Sequence, residues 1–173
     1  MISKTDLRKQ LLNKRKKLNT KKLSELICKN ILEREEYKAA INIFAYYSKE
    51  FEVDITFLFK DTSKKWFLPK VKGENLEFFE YEFGDELIEG EFGVKEPVNN
   101  KKTDIIPDLI IVPALGTDKN NYRIGYGKGF YDRFLNNFEK ICPPTLTPIF
   151  SGLTVETLPK DTFDKKIDVI ITE

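Results

Sequence analysis

Hydrophobic and polar positions change rhythm several times along the chain, and each change marks an element. In "SKTDLRKQLLNKRKKLN", Leu7, Leu11, Leu12 and Leu18 fall at roughly helical spacing among charged residues, which predicts an amphipathic helix with Ser3 or Thr5 available as its cap. Lys4, Arg8 and Arg15 then lie near one another along one side. A second helix, joined near Asn19-Thr20, follows through "KKLSELICKNILEREEY", where Leu23, Leu26, Ile27 and Ile31 form the buried stripe. "AAINIFAYY" switches to β-branched and aromatic density at strand length, and "FEVDITFLFKD" returns to a short helical pattern.

"WFLPKV" and "LEFFEYE" read as further strands around a Gly73-Glu74-Asn75 turn, and the acidic "GDELIEGEFGVKEP" reads as a loop. "DLIIVPAL" is the most apolar run and predicts a central parallel strand. A polar loop, "GTDKNN", and a glycine segment precede "GFYDRFLNNFEK", whose Phe130, Phe134 and Phe138 at four-residue spacing predict a helix. "PPTLTPIFS" and "KIDVIITE" complete the set as strands, the prolines placing the first near an edge or a bend. Strands alternating with helices predict a three-layer α/β/α fold with a mostly parallel central sheet, without internal repeats or low-complexity segments.

Composition narrows the chemistry. A length of 173 residues suits one domain with a real core, and 14 Phe and 7 Tyr supply many rings for packing or stacking. The segment after Met1 lacks a signal-peptide apolar core and no later run is long and apolar enough to cross a bilayer, so a cytoplasmic protein with no membrane partner is expected. Cys28 and Cys142 are expected to be reduced thiols. There is no histidine, which excludes every Ser-His-Asp or Cys-His scheme. A metal would have to be held by oxygens, and carboxylates with substrate phosphates point to magnesium.

The net charge of +1 conceals an asymmetry: residues 1–22 hold nine basic residues against Asp6, a net +8 that leaves −7 over the remainder. Such a segment suits nucleic acid, a nucleotide or a polyanionic substrate, and equally a solvated helix face. No known nucleic-acid motif lies among its basic residues, so no nucleic-acid partner is expected.

"RIGYGKGFYDRFL" alternates Gly125, Gly127 and Gly129 between Arg123 and Lys128, with Asp132 just beyond. At a helix entrance, bare backbone lets a phosphate approach unsatisfied N–H groups, Arg and Lys supply charge, and an acid can hold magnesium beside it. Alternate glycines also suit a bulged turn that packs the helix tightly on the sheet. Neither Walker A nor G-x-G-x-x-G spacing is present, and no ribose-binding acid stands about 20 residues on. The charged neighbours tilt the reading toward phosphate.

With its flanks, "VPALGTDKNNYRIGYGKGFYDRFL" resembles the signature of the 5-formyltetrahydrofolate cyclo-ligase family, also called 5,10-methenyltetrahydrofolate synthetases. The resemblance runs through "KTDLR", "YYSKEFEVD", "FLPKV", "FGVKEP" and "KIDVIIT", in order and spacing. It implies a fold related to sugar-phosphate isomerases and CoA-transferases. The implied reaction is the ATP- and magnesium-dependent conversion of 5-formyltetrahydrofolate to 5,10-methenyltetrahydrofolate, through phosphoryl transfer to the formyl oxygen and attack by N10. The implied ATP contacts are Lys4, Arg8, Arg123, Ile124, Gly125, Tyr126, Gly127, Lys128, Gly129, Phe130 and Tyr131, with Arg123, Lys128 and Tyr131 catalytic. Glu52 matches the acid that binds the pterin, Tyr47 another folate contact, and Phe92 and Tyr126 pocket-lining rings. Asp132 matches a magnesium ligand and Asp168 a second. A monomer acting on 5-formyltetrahydrofolate, with or without a polyglutamate tail, is expected. The chain departs from the signature at Gly116-Thr117-Asp118, where Ala-Phe-Asp is usual, and at Phe130, where Tyr is usual; both positions are expected beside the site.

Overall fold

The computed structural model describes residues 2–138 and 142–173. Helix α1 (Lys4–Arg15) begins where the Ser3 side chain accepts from the Asp6 amide, and α2 (Thr20–Leu32) where the Asn19 side chain accepts from Lys22. α1 stops short of the expected Asn19, and Leu18 packs on the core from the link. The expected second helix divides: Arg34 is extended ahead of α3 (Glu35–Ala39). That break turns Tyr37 inward, where its buried hydroxyl donates to Asp61 at 3.0 Å.

Strand β1 (Asn42–Phe44) leads through a 3-10 turn at Thr56–Lys60 to β2 (Lys65–Lys72) and β3 (Asn75–Tyr81), an antiparallel pair around Gly73 at φ +60°. The acidic stretch expected as a loop is instead an antiparallel hairpin, β4 (Leu87–Glu89) with β5 (Lys95–Pro97), carrying Phe92 at its tip. Glu96 anchors it by accepting from the Val71 amide at 2.9 Å. After β6 (Leu109–Ile111), the expected "GTDKNN" loop also differs: β7 (Gly116–Asp118) and β8 (Arg123–Ile124) pair antiparallel. The Asp118 carboxylate accepts from Asn120 and Tyr122, both at 2.9 Å, and thereby closes the turn.

Helix α4 (Phe130–Asn136), then β9 (Thr145–Pro148), β10 (Thr154–Val155) and β11 (Val169–Ile171) follow. The helix expected to Lys140 ends sooner, its last residues lying outside the described ones. β10 joins β7 and β8 in a small sheet.

The main sheet runs β11-β9-β6-β1-β2-β3, parallel except for β3. β9 is therefore interior, so of the edge or bend that its prolines suggest the edge is not found. Pro143 and Pro144 precede it and Pro148 closes it, so the ladder's middle keeps its donors. Alternate residues face opposite sides: Ile43, Leu68, Leu109 and Ile111 join Leu11, Ile27 and Ile31 in one core, while Phe44, Phe67, Ile110 and Val112 join Leu135 in another. From β1 the chain winds outward to β2 and β3, then returns to β6 and winds the other way. The strand order thus reverses between β1 and β6, where ligands of open α/β sheets gather at the carboxyl ends.

Candidate functional site

A cleft opens at that position. Tyr46 and Tyr47 reach it from the end of β1, Pro69 and Val71 from β2, and Pro113 from just after β6. Over it lies the segment Arg123–Asp132, with Lys4 and Arg8 of α1 on one flank and Phe92 on another.

The glycines are required by the loop's course. Gly127 has φ +95° and Gly129 φ +68°, left-handed conformations that a side chain disfavours. A Cβ at Gly127 would stand 3.1 Å from the Arg8 guanidinium carbon, and Arg8 Nε donates to the Gly125 carbonyl at 2.9 Å. Arg123 is buried and donates to Asp132 Oδ1 at 2.9 Å, while its Nε has no partner among the described residues. The Tyr131 hydroxyl is likewise buried without a partner, and burial followed by the nearby Glu52 charge pushes that phenol above its ordinary value of 10. Buried donors left open at a cleft suit an anionic ligand's oxygens.

The other half of the cleft is a carboxylate. Glu52 is 7% exposed; its Oε2 accepts from the Lys49 amide at 2.8 Å and its Oε1 from the Tyr126 hydroxyl at 2.6 Å. Tyr126 in turn accepts from Arg15, and burial, then the Glu52 charge, raises its phenol too. Phe92, at φ +58°, is a bulky residue held in the left-handed region at the rim, a strain common where ligands are clamped. Phe92 is half exposed, its ring 5.7 Å from that of Phe130, with the Lys128 ammonium 4.7 Å from its centre.

Of the residues singled out in the sequence, Lys4, Arg8, Tyr47, Glu52, Phe92 and the whole run from Arg123 to Asp132 line this one cleft. Asp168 does not. Its Oδ2 accepts from the Thr145 amide at 2.9 Å and hydroxyl at 2.7 Å, clipping β11 to β9. Thr117, expected beside the site, is buried in the small sheet 3.3 Å from the Thr154 hydroxyl. Asp161 and Asp164, which the sequence did not flag, line the cleft and hold the Lys4 ammonium at 2.7 and 2.6 Å. Arg15, placed by the sequence only along one side of the first helix with Lys4 and Arg8, is buried behind Tyr126. Among the described residues no group of three or more His, Cys, Asp or Glu side chains could hold a metal by itself. Asp132, beside the loop and paired to Arg123, could supply a single oxygen ligand to a hard cation such as magnesium.

Fold and cleft together define a mixed α/β protein with a largely parallel sheet, the class of fold in which ligands gather at the carboxyl ends of the strands. Comparison with known proteins narrows the class. The family model described as the 5-formyltetrahydrofolate cyclo-ligase family matches residues 1–173. The solved 5,10-methenyltetrahydrofolate synthetase of Aquifex aeolicus superposes with a TM-score of 0.85 at 32% identity, covering 98% of this chain and 89% of that one. The Mycoplasma pneumoniae 5,10-methenyltetrahydrofolate synthetase gives a TM-score of 0.74 at 25% identity, covering 99% of both. The mouse 5-formyltetrahydrofolate cyclo-ligase is 24% identical over 166 residues, spanning 87% of this chain and 82% of the mouse protein. The chain belongs to the 5-formyltetrahydrofolate cyclo-ligase family.

Proposed function

We propose that the chain converts 5-formyltetrahydrofolate to 5,10-methenyltetrahydrofolate with consumption of ATP and release of ADP and phosphate. The observation that carries this reading is the meeting, in one cleft, of a glycine loop wrapped on cations and a buried carboxylate. The loop suits a triphosphate. Lys4, Arg8 and Lys128 supply full charges, and the Gly125–Gly129 backbone comes close enough for amide contacts. Glu52, held by two donors among the described residues, retains lone pairs for the N–H groups of an aminopyrimidine edge, and Tyr47 and Phe92 supply rings at the same cleft.

A formamide carbon is a weak electrophile and its oxygen a poor leaving group. Transfer of the γ-phosphoryl to the formyl oxygen makes that oxygen part of a phosphate. N10 then attacks the carbon, its proton leaves, the N10–C bond forms and the C–O bond breaks. Positioning and charge neutralisation dominate phosphoryl transfer, so a site without histidine is sufficient. Arg123 and Lys128 neutralise charge on the phosphoryl oxygens, and Tyr131 offers its unpartnered hydroxyl to them. Asp132 would hold magnesium, which when bound neutralises phosphate charge. Asp161 and Asp164 also line the cleft, paired to Lys4, whereas Asp168 is engaged in its strand clip.

In the same reading the helices on both faces of the sheet make a three-layer α/β/α domain akin to the sugar-phosphate isomerase and CoA-transferase folds. The chain acts as a cytoplasmic monomer on folate with or without a polyglutamate tail, independently of nucleic acid or membrane. A heavy-oxygen label in the formyl group tests the phosphoryl route by mass spectrometry. One labelled atom in the released phosphate is expected; label appearing in water overturns it.

A further inference from the structure

Leu7, Leu11 and Arg15 share the buried stripe of α1, so a cation 3% exposed occupies the place where the pattern calls for another apolar residue. A buried guanidinium needs a compensating anion. Among the described residues Arg15 has none in contact: its hydrogen bonds go to the Ala114 carbonyl at 3.5 Å and to the Tyr126 hydroxyl. The balancing charge stands one hydroxyl further on, where Tyr126 donates to Glu52 at 2.6 Å. A phenol has one proton, so donation to Glu52 leaves its lone pairs to accept from Arg15 and both bonds acquire a fixed direction. The guanidinium carbon of Arg15 and the Lys49 ammonium also lie 5.6 and 5.4 Å from the centre of the Tyr126 ring.

Tyr126 is at the same time the residue between Gly125 and Gly127. Its backbone belongs to the loop and its hydroxyl to the carboxylate. We propose that Arg15, acting through Tyr126 on Glu52, couples the two halves of the cleft, so that nucleotide on the glycine loop orients the carboxylate for folate. Arg15 is a positioning residue, since it reaches the site only through Tyr126. The proposal rests on reading the cleft as an ATP and folate site, and linkage requires the coupling to be reciprocal.

The test is equilibrium binding of 5-formyltetrahydrofolate to the full chain, with and without a non-hydrolysable ATP analogue. In the wild type the analogue should tighten folate binding about tenfold. Tyr126→Phe and Arg15→Met should bring that factor, the ratio of folate affinities with and without the analogue, close to one whatever either change does to the affinity for a single ligand, and Arg15→Lys should recover part of it. Tyr126→Phe removes a single oxygen and keeps the ring, so it carries the test if Arg15→Met does not fold. Retention of the wild-type factor in Tyr126→Phe overturns the proposal. So does a wild type that turns over and binds both ligands without any coupling, and in that case the cyclo-ligase reading stands. A wild type that binds no folate overturns that reading and the proposal with it.

Discussion

In the proposed reading of the cleft, Lys128 and Glu52 serve different ligands, and their variants should fail in different ways. Lys128 stands at the glycine loop as an exposed point charge, so Lys128→Ala should lower kcat by about 100-fold or more, the usual cost of removing one transition-state charge contact, as read from initial rates at saturating substrates. Glu52→Gln keeps the shape and removes the charge. The folate KM should rise roughly tenfold to a hundredfold while ATP binding in the absence of folate stays near wild type, since bonds to a charged acceptor are the ones weakened. The local signature placed these residues because they stand close together in sequence or beside a strand. Asp161 and Asp164 carried no such signal. They meet Lys4 across 157 and 160 positions of chain, a proximity that only the closed fold creates. Asp168 misled for the opposite reason: an acid ahead of a strand suits a ligand or a backbone clip, and the Thr145 hydroxyl two strand-ends away decides for the clip.

The glycine loop has the same two-sided character as an element. Gly127→Ala places a methyl against Arg8 at a left-handed φ, so it should destabilise the chain by about 1–2 kcal/mol in urea unfolding and weaken nucleotide binding as well. A further test concerns the start of β1. Asp108 accepts from the Asn42 amide at 2.8 Å and the Ile41 amide at 3.0 Å, and these bonds hold its carboxyl below the ordinary value of 3.8. A depressed folded value stabilises above the unfolded one and is lost as pH falls through it. The urea midpoint of Asp108→Asn should therefore trail wild type near neutral pH, and the gap should close below about pH 4. α1 was legible because burial of one face imposes its period, and β6 because burial on both faces makes it the most apolar run. The β4–β5 and β7–β8 hairpins were not, because short strands held by Glu96 and Asp118 side chains leave a polar, glycine-bearing sequence that reads as loop. The division between α2 and α3 was hidden because the helical pattern continues across Arg34 while the chain does not.

Across the whole molecule, the alternation of strands and helices announced a largely parallel α/β sheet, and the reversal of strand order between β1 and β6 explains why distant segments converge there. α1 closes one side of the cleft, the β4–β5 tip reaches another, and the loop after β8 covers it. The basic leading segment also acquires two roles: Lys4, Arg8 and Arg15 turn toward the cleft, while Lys9, Lys16 and Lys17 remain exposed. The absence of histidine is consistent with chemistry that needs placed charges more than a neutral-pH base. The most direct measurement is the growth of methenyltetrahydrofolate absorbance from 5-formyltetrahydrofolate and purified chain, with ATP and magnesium supplied together, singly or not at all. Absorbance that rises only when both are present, and is lost in Lys128→Ala, is the predicted result; a flat trace from folded protein with both present, or a rise that ignores ATP, would contradict it.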